Sequence, residues 1–208
     1  MKRSFLLAVA LAMFSTVSMA AEPTAVEERK GASFNEVERG FFLGVNAGFW
    51  GTINPPALTA KERYFSPGQA VQVEIGGDIG ERVSLAAFFL ATTNKMGSDY
   101  FGLNSTHTAS GDYGSIAPGV TGKFRLVGFK DSQDVKRTWI YVRVQGAVMF
   151  YTPAGLKLPL DVMLAGGPGV EYFTRLRHFS IGVEANFNFM ALTGSLGFSI
   201  LPSVRYAF

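Results

Sequence analysis

The chain has 208 residues, among them 24 glycines, 19 phenylalanines and no cysteine, and its formal net charge is +3. The missing cysteine excludes a disulfide framework, thiol catalysis and thiolate-held metal. A small net charge with no lysine or arginine block gives no basis for nucleic-acid binding, and a charged fraction of 17% is low beside the about 25% usual in soluble domains.

Met1 to Ala20 has the three parts of a secretory signal peptide: Lys2 and Arg3, an apolar run from Phe5 to Phe14, and a small-x-small close at Ser18-Met19-Ala20. A membrane-spanning helix needs roughly 20 apolar residues, about twice that run, so export is expected. Loss of the leader removes two positive charges and leaves about +1. Residues 21–39 (AEPTAVEERKGASFNEVER) are polar and charged and are expected to form a short periplasmic lead-in to a single domain over residues 40–208.

From residue 40 onward a two-residue alternation replaces any helical period. Phe41 to Trp50 sets Phe41, Leu43, Val45, Ala47 and Phe49 against Gly44, Asn46, Gly48 and Trp50. Gln69 to Ile79 opposes Val71, Val73 and Ile75 to Gln72, Glu74 and Asp78, and Val83 to Ala91 opposes Val83, Leu85, Ala87 and Phe89 to a weaker Ser84, Ala86, Phe88 and Leu90. In Ser115 to Gly128 the two faces are Val120, Phe124, Leu126 and Thr121, Lys123, Arg125; in Thr138 to Tyr151 they are Ile140, Val142, Val144, Val148, Phe150 and Tyr141, Arg143, Gln145, Met149. Asp161 to Phe173, Phe179 to Ala191 and Leu196 to Phe208 continue the pattern, with Glu171, Glu184 and Arg205 on their polar faces. Eight strands are therefore predicted.

The links from Gly51 to Gly68, Thr92 to Gly114 and Thr152 to Leu160 are long or intermediate, whereas Gly80 to Arg82, Phe129 to Arg137 and Thr174 to His178 are short and charged. The last, Leu192 to Ser195, is short where the alternation calls for a longer one. Eight alternating segments, each long enough for the roughly 9 to 11 residues of a tilted crossing, predict an all-β, antiparallel transmembrane β-barrel. A soluble sandwich would have to turn the bulky face inward and a face mixing glycine with both signs of charge to water. The narrow lumen of a barrel suits that face better, and Glu74, Lys123, Arg125, Arg143, Glu171, Glu184 and Arg205 form its expected charge network, with a net of about +1 if all point inward. Aromatics near segment ends (Trp50, Tyr64, Phe65, Tyr100, Phe101, Tyr113, Trp139, Phe150, Tyr151, Tyr172, Tyr206) are read as interfacial girdles.

On these segments the chain resembles the small eight-stranded outer-membrane barrels broadly like OmpA, OmpX and OmpW. The closing Phe198, Ile200, Val204, Tyr206, Phe208 is similar to the C-terminal signal by which the outer-membrane assembly machinery recognises a last strand, with Val204, Tyr206 and Phe208 at its core. Pro202, in register with that face, predicts a local break in the final ladder. The stretches Gly122 to Pro153 and Gly166 to Phe208 resemble the CglE family of adventurous gliding-motility proteins of myxobacteria. That resemblance implies a component of an envelope gliding apparatus that works through protein contacts.

Chemistry is thinly represented. His107, within NSTHTASGDYG, has Ser105, Ser110, Asp99 and Asp112 nearby, but sequence adjacency is not triad geometry and such loops are hydroxyl-rich by default. Asp99, Asn104 and Asp112 lack the dense rhythm of a calcium loop, AGGPGVE lacks the lysine of a phosphate loop, and His178 is read as a solvated turn residue. No enzyme, metal or cofactor is expected. Function is expected on exposed segments, with Tyr64, Phe65, Tyr100 and Phe101 as the candidate partner-binding loops. The expected partners are outer-membrane lipid, lipopolysaccharide, the barrel assembly machinery and other envelope or gliding proteins. The alternative is a small gated or hydrophobic, porin-like channel in the outer membrane of a Gram-negative cell.

Overall fold

In the computed structural model the described residues are 37–53, 65–95, 112–152 and 160–208. They belong to one compact unit, Asn35–Phe208. The signal-peptide expectation and most of the lead-in lie outside them.

Eight strands follow in chain order: β1 (Phe41–Ile53), β2 (Phe65–Ile79), β3 (Val83–Asn94), β4 (Tyr113–Lys130), β5 (Lys136–Thr152), β6 (Leu160–Phe173), β7 (Phe179–Met190) and β8 (Ser195–Ala207). Each pairs antiparallel with its sequence neighbour, and β8 returns to pair with β1, so the sheet is a closed barrel. Most strands extend a few residues beyond their alternating cores. The alternation becomes a division between outside and inside: Leu43, Val73, Phe89, Phe124, Val144, Val183 and Val204 face out and are exposed, whereas Asn46, Gln72, Glu74, Arg125, Arg143, Glu184 and Arg205 are buried within. A soluble protein would bury the first set; a barrel in hydrocarbon reverses the choice.

Of the four prolines on the outer face of alternate strands, Pro67 lies near the start of β2 and the other three each interrupt one of their two ladders. Pro118 pairs with Phe89 on one side, while on the other the β4–β5 ladder skips from Ile116↔Phe150 to Gly119↔Ala147. Pro168 faces Val142, and the β6–β7 ladder skips from Gly166↔Phe187 to Gly169↔Glu184. Pro202 faces Val183, and the β1–β8 ladder skips from Asn46↔Ser203 to Phe49↔Ile200. A missing N–H removes a rung, and the strands resume in the same register beyond it.

The seam is closed to its last residue. The Phe208 amide donates to Phe41 O (2.9 Å) and the Ala207 amide to His178 O (2.7 Å). Outside this seam, rings of Phe41, Phe179, Tyr206 and Phe208 pack with centroids 5.0 to 5.6 Å apart. Val204 and Phe208 are exposed on the outer face and Tyr206 is half-buried there.

The girdle expectation is corrected at four positions. Trp50, Tyr113, Trp139 and Tyr151 are buried inside the barrel. Strand parity sends them inward, where Trp50 Nε1 reaches Thr52 Oγ1 (3.1 Å) and Trp139 Nε1 reaches Lys136 O (3.2 Å), and where large rings fill both ends of a narrow lumen. Phe65, Phe150 and Tyr172 do face outward.

Gly48 shows how tightly the seam is built. A Cβ there would collide with Ile200 O and stand 3.1 Å from Pro202 Cδ, whereas one on Gly146 would meet nothing within 4 Å. Gly48→Val is therefore expected to abolish the fast-migrating folded band seen on unboiled gels. Gly146→Val is expected to retain it.

Candidate functional site

The lumen gathers the charged residues into two linked clusters. In the one nearer the end where β1 begins and β8 finishes (the terminal end), Glu171 is the hub. It accepts from Arg125 Nε (2.9 Å) and Ser180 Oγ (3.2 Å), and Lys123 Nζ and Arg205 Nη1 stand 3.4 and 3.6 Å away. Asp78 completes the cluster: it accepts from Arg125 Nη1 (3.2 Å), Arg205 Nη2 and Ser84 Oγ (2.5 Å). Arg205 also lies 3.6 Å from the Phe42 ring centroid, and Lys123 Nζ lies 4.5 Å from that of Tyr141.

The second cluster is centred on Arg143. Its guanidinium donates to Glu184 Oε2 (2.7 Å), Glu74 Oε2 and Thr121 Oγ1 (2.9 Å). With the amides of Asn46 and Gln145 turned to face it, their oxygens accept at 3.1 Å and 2.7 Å. Tyr141 Oη and Asn186 Nδ2 each donate to Glu184 at 3.1 Å. Side chains in these ion pairs are at most 10% exposed.

The structure thus places Glu74, Lys123, Arg125, Arg143, Glu171, Glu184 and Arg205 in one network and adds Asp78. Four cations (Lys123, Arg125, Arg143, Arg205) then face four carboxylates (Glu74, Asp78, Glu171, Glu184), and the sum is zero instead of +1. Asp78 shares the inward parity of Gln72 and Glu74 in β2, a signal that was present in the alternation. Buried charges are tolerable only when paired and hydrogen-bonded, and balance is what that condition requires.

Toward the opposite rim the interior turns apolar: Phe88, Leu90, Met149, Met163 and Leu201 pack with Ala70, Ala117, Ala147 and Ala165. The polar-lumen expectation did not include this layer. It is followed by hydroxyl and amide groups at the rim, where Thr92 Oγ1 lies 2.6 Å from Ser115 Oγ and Asn94 Nδ2 donates to Ser66 O (3.1 Å).

Asp161, fully buried, explains the one short rim connection. Its carboxylate accepts from the amides of Leu192 (2.7 Å) and Thr193 (3.1 Å) and from Thr193 Oγ1 (2.5 Å). The carboxylate folds the β7–β8 turn back onto β6.

At the terminal end His178 lies in the β6–β7 turn, partly exposed as expected, and also makes specific contacts. Nδ1 lies 2.9 Å from Ala207 O and 2.8 Å from the Glu38 carboxylate, and the ring stacks on Tyr206. Glu38 also pairs with Arg177 (3.1 Å), so the last residues of the lead-in are tied to the β6–β7 turn. Of the candidate loop residues, Tyr64, Tyr100 and Phe101 lie outside the described residues. Phe65 is corrected: it opens β2 on the outer face, paired with Ile53 and stacked on Phe198 at 5.9 Å, because the ladder runs four residues further than the alternation suggested.

No protein-family model matches the chain, and neither does any curated protein. Among solved structures, Neisserial surface protein A is similar over 83% of this chain and 100% of its own, with a TM-score of 0.58 and 13% identity. The fold is that of a small outer-membrane barrel. OprG from Pseudomonas aeruginosa (84% and 99% covered, TM-score 0.49, 13% identity) and Ail of Yersinia pestis (83% and 100%, 0.46, 11%) are similar at a lower level.

Arg143→Ala would leave Glu74 and Glu184 buried without their shared cation. A loss of about 3–5 kcal/mol is expected, read as a lowered urea midpoint in lipid vesicles. Replacing all three by apolar residues is expected to recover part of it. Asp161→Ala is expected to expose the β7–β8 turn, so that chymotrypsin cuts after Leu192 in a barrel that still migrates as folded.

Proposed function

We propose that the protein is a non-catalytic, non-conducting outer-membrane barrel of a Gram-negative cell that serves as a structural and interaction component of an envelope assembly. The observation that carries this reading is the neutral network of eight charged side chains across the lumen, each with an oppositely charged partner. A conducting pore needs a hydrated path with walls that ions can leave as easily as they enter. Here guanidinium and carboxylate groups meet across the lumen within hydrogen-bond distance, and an apolar layer stacks above them. At about eight strands the interior is just wide enough for side chains to fill.

The absence of catalysis in this reading is supported by how the titratable groups among the described residues are used. The lumen carboxylates hold arginines, and His178 holds the chain end and Glu38. In this reading the terminal end faces the periplasm, and the opposite strand ends, between which residues 54–64, 96–111 and 153–159 fall in the sequence, face outward. The apolar and aromatic content of the outer segments (Leu58, Tyr100, Phe101, Leu103) supports contact with a protein or with lipopolysaccharide. The finer form of the reading, a place in a gliding apparatus, is supported by the resemblance of Gly122 to Pro153 and Gly166 to Phe208 to the CglE family.

Planar-bilayer recordings of the purified protein are expected to stay silent; reproducible conductance steps would replace this reading with the channel. Affinity purification from outer membranes is expected to bring down a defined envelope protein. Deleting residues 96–111 is expected to change what is recovered while membrane insertion is spared.

A further inference from the structure

The terminal mouth holds a second, smaller site beside the lumen network, which reaches it only through Arg125, whose Nη1 donates to Glu81 O (3.3 Å). A pocket of about 390 Å³ opens there between the lead-in and two turns, lined in part by Val37, Arg39, Glu81, Lys130, Asp134 and Lys136. Arg39 is its fixed element. Its Nη1 donates to Glu81 O (2.6 Å), and its guanidinium lies 5.4 Å from the ring centroids of both Trp139 and Phe173. Among the described residues no carboxylate comes within ion-pair distance of it. Burial first, and the neighbouring Arg125 charge second, hold its pKa below the ordinary arginine value. It is a positioned cation short of negative charge.

The two lysines are held loosely. Lys130 pairs with Asp134 at 2.7 Å and Lys136 with Glu81 at 3.4 Å, and all four side chains are 42% exposed or more. Exposed pairs of this kind contribute at most about 1 kcal/mol and exchange partners readily. Three cations therefore line the pocket with two carboxylates, and the cation without a carboxylate is the one whose geometry is set. A planar guanidinium fork matches a carboxylate in two parallel hydrogen bonds, and Val37 offers an apolar wall to a side-chain stem. The volume lies near the lower end of the roughly 300–1,000 Å³ of small-ligand pockets, which suits one or two side chains.

We infer that this pocket binds the carboxylate of an acidic peptide segment, with Arg39 as the fork and Lys130 and Lys136 as flanking charges. The inference deepens the scaffold reading by giving its periplasmic partner a chemistry, and it rests on that reading only for the compartment. Binding to the purified barrel can fail while bilayer recordings stay silent, and it can succeed for a barrel that conducts, so the two failures are distinguishable.

Trp139 lies beneath Arg39, with Lys136 Nζ 5.6 Å from its ring centroid, and the chain has two tryptophans. In a Trp50→Phe background the folded, full-length protein in detergent micelles therefore carries one reporter at the site. Acetylated Ala-Glu-Glu-Ala amide is expected to change its emission saturably, and the affinity should fall severalfold when salt shortens the screening length from about 10 Å to about 3 Å. Arg39→Gln is expected to weaken binding about tenfold, one guanidinium–carboxylate contact. Lys130→Gln with Lys136→Gln, which alters only exposed groups, should weaken it about threefold with folded gel mobility unchanged. A flat titration, equal affinity for the Ala-Gln-Gln-Ala peptide, or an affinity unmoved by either variant overturns the proposal. Tighter binding of inorganic phosphate than of the acidic peptide overturns the carboxylate assignment.

Discussion

Hydrocarbon offers no hydrogen-bond partner, so a backbone N–H or C=O left unpaired in it costs several kcal/mol. A sheet that crosses a membrane must therefore close, and here closure means that β8 finds β1. The requirement extends to the last residue: Phe208 donates to Phe41 O and the neighbouring rings cover the seam. It also sets the limits of irregularity. Pro118, Pro168 and Pro202 each remove rungs from one ladder only, and pairing resumes beyond them without a slip.

Closure creates an inside, and eight strands make it narrow. Every second residue then enters a space with little room for water, so the charges carried there must neutralise one another. Glu171 and Asp78 share Arg125 and Arg205, while Glu74 and Glu184 share Arg143. Sharing makes each pair depend on others, so the network holds strands together across the lumen as well as along the ladders. It links β2, β4, β5, β6, β7 and β8, strands that are not all neighbours in the sheet.

A barrel filled in this way leaves its ends for recognition. The two ends are built differently. At the rim Asp161 shortens one connection by binding its backbone, while three longer segments leave from the other strand pairs. At the terminal mouth the lead-in is held by Glu38 to the β6–β7 turn and by Arg39 to Glu81 O and two rings. The first end offers length and aromatic content; the second offers a small, charged pocket on a rigid frame.

The sequence by itself determined the strand count, the parity of each strand and the faces on which Glu74, Lys123, Arg125, Arg143, Glu171, Glu184 and Arg205 lie. Alternation is local, and a pleated strand converts it directly into two faces. Tertiary structure alone decided which charges meet, because Arg143 and Glu74 are 69 positions apart and their contact depends on tilt and closure. It decided that Asp78 meets Arg125 and Arg205 and that Asp161 turns back to bind Thr193. It also decided that Trp50, Tyr113, Trp139 and Tyr151 fill the interior instead of lining the membrane. An aromatic near a strand end fits either place by composition; the register of the closed sheet, and the hydrogen-bond partner waiting inside, assigns it to one.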